Sequence, residues 1–151
     1  MLAPLPRSDV GRVQHLILPD HQEPFVGNIA DMTADPDPAQ EFHHICAGDQ
    51  MIGFFKVDTD FARRVKRLPK GSHGLRGVLI GGQFQGMGFG RRFLELLPGY
   101  LPAQYDVTEV WLSVDQGNKL ATRLYLATGW EITGPPFTGR SGLETVLRLK
   151  L

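Results

Sequence analysis

Twelve residues, Ile80-Gly81-Gly82-Gln83-Phe84-Gln85-Gly86-Met87-Gly88-Phe89-Gly90-Arg91, place five glycines between an apolar run and an amphipathic one. Glycines let successive backbone N–H groups converge and let a ligand approach where a Cβ would stand. A helix opening directly after such a turn adds unsatisfied N–H groups and the positive end of its dipole, a combination that favours phosphate or pyrophosphate. No Gly-Lys-Ser/Thr follows, so the turn is not a Walker A loop. Counting G-x-G-x-x-G from Gly86 puts Arg91 where the third glycine of a dinucleotide fingerprint belongs. A turn that only packs a helix on a sheet is the alternative that glycine content leaves open.

Other chemistry-bearing side chains are fewer. Tyr125 shares a helix face with Ala121, Leu124 and Thr128, where a phenol could donate a proton or simply fill the core. Asn118 has the residue type of a helix N-cap. His43 and His44 are neighbours on an extended run and point to opposite faces, which argues against a two-histidine metal site. Cys46 shares the face of His44, and a buried structural cysteine is a better reading than a nucleophile. As the only cysteine it can form no internal disulfide and no thiolate pair for a metal. No metal is expected.

The elements that must position these groups follow from periodicity. Val13–Leu18 alternates loosely and ends at Pro19, which predicts a first strand, and Glu23-Pro24 followed by Phe25, Val26, Ile29 and Met32 predicts a helix. Phe42–Ala47 and Met51–Val57 flank Gly48-Asp49-Gln50 as a hairpin. A short helix is expected around Phe61–Arg67, a strand over Leu75–Ile80 and a helix over Arg91–Leu97 that Pro98 and Pro102 shorten or kink. Glu109–Val114 predicts a strand, and Asn118–Thr128 a helix closed by Gly129. Trp130–Thr133 and Thr145–Leu151 predict final strands. The order β-α-β-β-β-α-β-α-β-β is a mixed α/β sheet rather than a regular βα alternation.

The chain has 151 residues, 42% hydrophobic and 21% charged, enough for one domain with a true core and far from a disordered composition. No apolar run reaches the roughly 18 residues of a membrane span, and the N-terminus shows no apolar signal segment. The expectation is a soluble cytoplasmic protein with no membrane partner. Formal net charge is zero, which argues against nucleic acid as a partner. Yet Met1–Phe61 carries ten acidic and three basic residues, whereas Ala62–Tyr100 carries eight basic residues and only Glu95. A basic, glycine-dense middle suits a bound anion, and an acidic first third suits a cationic partner.

Two motifs carry a family resemblance. Gln85-Gly86-Met87-Gly88-Phe89-Gly90 resembles the acyl-CoA pyrophosphate loop of the GNAT superfamily of N-acetyltransferases. Asn118-Lys119-Leu120-Ala121-Thr122-Arg123-Leu124-Tyr125-Leu126-Ala127-Thr128-Gly129-Trp130 resembles that family's second conserved stretch. Both stand in family order and at family spacing, within a chain whose elements agree from about Val13 to Leu151. The resemblance implies an α/β (α+β) fold in one domain, 1–151. Its sheet would be mixed, mostly antiparallel and six- to seven-stranded, with helices on both faces and a splayed central parallel pair, Leu75–Ile80 and Glu109–Val114. It implies acetyl-CoA as co-substrate and no metal. Val78, Leu79 and Ile80 would pair with the pantetheine arm through their backbone. Gln85, Gly86, Met87, Gly88, Phe89, Gly90 and Arg91 would hold the pyrophosphate, and Asn118 would contact the arm. Arg91, Arg92 or the run Arg63, Arg64, Lys66, Arg67 would reach the ribose phosphate, although a solvated face is the plainer reading of that run. Tyr125 would protonate the departing thiolate.

The general base has no such assignment. The family often places a carboxylate on the central strand, and Leu75–Ile80 offers none, so Glu41, His43, His44, Asp58, Asp60 and Asp115 remain as options. Pro98 inside the helix after the loop, and Gly81-Gly82 in place of a polar residue and proline, depart from the family pattern. Leu18–Val26, with Gln22 followed three residues later by Phe25-Val26, resembles the start of bacterial polyamine acetyltransferases. With the acidic first third, it implies a small-molecule or peptide amine acceptor of cationic character; amino acids, peptide N-termini and small antibiotics stay open. The expected function is direct acetyl transfer to a primary amine in a ternary complex. The alternatives are a non-catalytic acyl-CoA-binding sensor and, more distantly, a nucleotide-binding domain. Thr145–Leu151 could pair across a homodimer.

Overall fold

The computed structural model describes Met1–Leu151. Eight strands form one sheet: β1 (Leu2–Pro4), β2 (Gln40–Ala47), β3 (Gln50–Asp58), β4 (Gly74–Ile80), β5 (Glu109–Asp115), β6 (Glu131–Ile132), β7 (Phe137–Gly139) and β8 (Gly142–Lys150). Their spatial order is β1-β2-β3-β4-β5-β8-β6, with β7 also on β8. All neighbours are antiparallel except β4 and β5. The mixed, mostly antiparallel sheet with one parallel pair is therefore as the sequence implies, but with eight strands. The additions are β1 and β7, each three residues long and too short for alternation to register. β8 pairs with β5 along one edge and with β6 and β7 along the other. As far as Arg148 it is thus flanked within the chain on both sides.

Val13–Leu18 is not a strand. Arg7–Val13 is a 3-10 turn and the chain then runs irregularly, with Val13, Leu16 and Leu18 buried and Ile17 exposed. The Leu16 N–H bonds to the Val13 carbonyl at 3.0 Å, a turn spacing that imitates alternation when read as letters. The helix expected over Phe25–Met32 is two short ones, α1 (Glu23–Val26) and α2 (Ile29–Thr33). The chain turns between them at Gly27, and Asn28 caps α2 by accepting the Asp31 N–H. Around Phe61 only Phe61–Arg63 is helical, again 3-10.

The helix after the glycine turn, α3 (Phe89–Gln104), runs through both Pro98 and Pro102. The prolines lie four residues apart on the solvent side, so their rings do not interrupt the buried face. Phe93, Leu94, Leu97 and Leu101 are buried on the other side. That apolar stripe, packed into the core, outweighs the lost backbone bonds, so the helix is not shortened. The second long helix, α4 (Lys119–Ala127), follows β5. The main core lies between the helices and the sheet and includes Ile52, Phe54, Phe55, Leu79, Leu97 and Leu147, each at most 1% exposed. No helix is long and apolar enough to cross a membrane.

Candidate active site

The parallel pair β4–β5 is joined at a single register position, Gly74 opposite Trp111, with the Trp111 N–H bonding to the His73 carbonyl at 3.0 Å. Beyond that point β4 stays on β3 and β5 stays on β8, so the two strands part. Gly77, at φ 57, helps to aim β4. There the ladder with β3 jumps from Lys56–Arg76 to Phe54–Leu79, a bulge that sets two β4 residues against Phe55. Past the bulge, one edge of β4 presents backbone groups with no partner strand.

A cleft of about 550 Å³ opens where the strands part. β4 contributes Val78, β5 contributes Ser113 and Asp115, and α4 contributes Asn118, Ala121 and Tyr125; α1 and α2 close the other side. Of the site residues expected from sequence, the cleft thus gathers Val78, Asn118 and Tyr125. The Leu79 side chain is buried in the core and only its backbone faces this edge; Ile80 is half-buried. Asn118 caps α4, its Oδ1 accepting the Ala121 N–H at 3.3 Å, which leaves its amide N–H groups for the cleft. The Tyr125 ring packs at 5.7 Å on Trp130, its hydroxyl bonds to no protein group, and burial pushes the phenol up to about 12. It is a proton donor at any ordinary pH.

The glycine turn flanks this cleft rather than lining it. Gly86 and Gly88 have φ of 77 and 83, and a Cβ at either would meet nothing within 4 Å, so bare backbone faces open space. Gly88 precedes the sixteen-residue α3, whose first N–H groups, on Phe89, Gly90 and Arg91, have no helical carbonyl to bond. A Cβ on Gly90 would lie 3.6 Å from Leu124, which sets the start of α3 beside the helix that carries Tyr125. Met87 is exposed. The Gln85 side chain is engaged within the protein: it donates to the Ile80 carbonyl and exchanges amide hydrogen bonds with Gln22 at 2.8 and 2.9 Å. Gln85 therefore fixes the turn to β4 and the segment before α1, and can offer an anion only its backbone. Arg91 is paired with Glu95 one turn along. In the basic run, Arg63 bridges Asp37 and Asp60, and Arg64 grips Glu144.

Most of the candidate bases lie elsewhere. His43 is buried under α3 between the hydroxyls of Tyr100 and Tyr105, and burial lowers its pKa to about 4. His44 contacts Cys46 at 3.3 Å, and Glu41 accepts from Tyr105. Asp58 is buried beside Arg76, and Asp60 is tied to Arg63. Asp115 alone of these lines the cleft.

The structure adds residues that the sequence reading missed: Asp31 from α2, Lys56 from β3, Arg76 from β4, Glu144 from β8 and Arg140 from the β7–β8 turn. Lys56 is held by Asp35 at 3.1 Å, and its burial draws its pKa down. Glu144 receives two N–H bonds from Arg64 and one O–H bond from Ser113. A polar residue interrupting an apolar strand, as Lys56 and Arg76 do, was the signal available. No group of three or more His, Cys, Asp or Glu side chains is placed to hold a metal ion.

The acetyltransferase (GNAT) family model matches residues 11–130. No curated protein matches the sequence. Among solved structures, the aminoglycoside acetyltransferase AAC(6')-Ib in complex with paromomycin and acetyl-CoA is 17% identical with a TM-score of 0.79, over 99% of this chain and 92% of that one. The ribosomal-protein-S18-alanine N-acetyltransferase from Escherichia coli is 16% identical with a TM-score of 0.67, over 99% and 92%. The spermidine N-acetyltransferase SpeG from Vibrio cholerae is 18% identical with a TM-score of 0.65, over 99% and 94%. At these identities the likeness is one of fold.

Proposed function

The chain belongs to the GNAT acetyltransferase family, whose donor is acetyl-CoA and whose acceptor is an amine, and we propose which of its residues carry that transfer. The observation that supports the assignment is the parting of β4 from β5, with Tyr125 on one wall and an unpartnered strand edge on the other. The edge at Val78–Ile80 would receive the pantetheine amides as an added strand would. The bare backbone of Gly86–Arg91 at the start of α3 would receive the pyrophosphate. Asn118 would donate to the arm through its free amide N–H groups. A backbone N–H of β4 would meet the negative charge that develops on the thioester oxygen.

The amine arrives as an ammonium and must lose a proton before it attacks. Asp31 and Asp115 line the cleft without an ion pair, which supports a cationic reacting end, and Asp115 would take the proton directly or through water. The new C–N bond forms as the C–S bond breaks, and Tyr125 gives its proton to the leaving sulfur. A single buried cysteine asks for no oxidising compartment and supports a cytoplasmic setting.

Tyr125→Phe tests the assignment. Thiol release from acetyl-CoA with a panel of amines should fall by about 10²–10⁴, the range of general acid catalysis. Calorimetric affinity for acetyl-CoA should stay within about twofold, since the ring and its packing on Trp130 are kept. Unaltered turnover would remove Tyr125 from the chemistry. No turnover by the wild type with any amine, despite tight acetyl-CoA binding, would return the sensor reading.

A further inference from the structure

Beyond the cleft lies a second cavity of about 450 Å³, and Arg64, Arg76 and Arg140 line both. The cations around the two cavities are not equivalent. Lys56, Arg63 and Arg64 are closed into ion pairs of 2.7–3.1 Å. Arg76 has only Asp58, at a loose 3.5 Å, although its side chain is about two-thirds removed from solvent. Arg140, exposed on the β7–β8 turn, has no ion pair and no hydrogen bond. Two guanidiniums with open donor edges therefore stand where the cavities meet. The cleft's unpaired carboxylates, Asp31 and Asp115, do not line the second cavity and so belong to its other part.

That polarity fits a molecule with a cation at one end and an anion at the other. A guanidinium presents N–H donors in a planar fork that matches the paired oxygens of a carboxylate or a phosphate. Here Arg76 stands on β4 with a single loose partner, so its fork can still receive an anion. We propose that the acceptor amine carries an oxyanion, received by Arg76 and Arg140 at the junction of the two cavities, and that these arginines select it. The inference rests on the acetyl-transfer reading and adds the acceptor's second group to it. An acidic first third suggests a polyamine, but Asp35 and Asp37 are already turned to Lys56 and Arg63.

The test compares γ-aminobutyrate, its neutral amide, putrescine and an aminoalkyl phosphate as ligands of the CoA-saturated protein by calorimetry, and as acceptors by thiol release. The expected result is that one anionic amine binds, and is used, at least about tenfold better than the amide and putrescine; the carboxylate and phosphate arms tell which oxyanion it is. In Arg140→Gln and Arg76→Gln that preference should collapse towards unity. Arg140 lies on an exposed turn, so its variant reports even where loss of Arg76 perturbs the fold. Equal binding of charged and neutral amines, better use of putrescine, or a preference that survives Arg140→Gln would overturn the proposal. Acetyl-CoA binding by the wild type separates the two levels. With it, any of those results removes the oxyanion alone; without it, the acetyl-transfer reading falls and the proposal falls too.

Discussion

His43 stacks on Phe55 at the centre of a directed row of hydrogen bonds. Tyr105 gives its proton to Glu41 at 3.1 Å, so its oxygen accepts from Nε2–H of His43 at 2.7 Å, and Nδ1 accepts from the Tyr100 hydroxyl at 2.6 Å. Protonation would make both ring nitrogens donors and strand the Tyr100 proton, in a site 2% exposed. Burial, followed by the charge of His44, lowers the pKa from 6.5 to about 4. Between those values the unfolded chain binds a proton that the native chain refuses, so stability rises with pH across the window. The loss on going from pH 7 to 4 is about 3 kcal/mol. Denaturant titrations across this range should show that slope in the wild type and a shallower one in His43→Phe, where His44 and, at the acid end, Asp35 and Asp37 still act in the same direction. An unchanged slope would show that His43 is not the group responsible. At this scale, residue types were legible and environments were not. Tyr125 was found because a motif fixes its spacing, whereas His43 looked like a candidate base until α3 was seen to cover it. Arg76, Arg140 and Asp31 were missed because their importance comes from what lies across the cavity, and no local pattern encodes that.

The strands part after Gly74, and Gly77 bends β4 within the parted stretch. Gly77 has φ 57, and a Cβ there would stand 2.9 Å from the Met32 methyl, which is movable, while the positive φ is not a conformation other residues readily adopt. Gly77→Ala should cost about 1–2 kcal/mol of stability. Because straightening the bulge would draw β4 back towards β5, it should also weaken acetyl-CoA binding by more than its effect on stability suggests. Calorimetry at a temperature where the variant is fully folded separates the two; unchanged affinity would mean that the bulge does not shape the donor site. The long elements were readable: the β2–β3 hairpin, β4, β5 and α4 each stand within a few residues of their expected bounds. Errors fell on segments where three-residue turns mimic alternation, as at Val13–Leu18, or where tertiary burial outweighs a breaker, as in α3. Pro98 and Pro102 were read for their local cost, while the stripe Phe93, Leu94, Leu97, Leu101 determined the outcome.

Charge is separated along the chain and reunited by the fold. The acidic first third meets the basic middle through Asp37–Arg63, Asp60–Arg63 and Asp58–Arg76, so the segmental asymmetry predicted a contact between regions more directly than it predicted a ligand. The sheet shows a complementary weakness. β1–β4 form one half and β5–β8 the other, and the halves share one parallel register pair, Gly74 with Trp111. A ligand whose arm lies along β4 while its neighbour is α4, which follows β5, would hold both halves at once. It stabilises the native state by mass action, about 2.7 kcal/mol at a hundredfold excess over Kd. For a chain of this size that corresponds to a rise in Tm of roughly 5–10 °C. Acetyl-CoA should produce that rise in a thermal melt and NAD should not. Amide exchange should slow at Val78–Ile80 and, in the same experiment, along β5 and α4, because opening either half would then release the ligand. Protection confined to β1–β4 would show that the donor engages one half alone, and the role given to Asn118 and Tyr125 would have to be withdrawn.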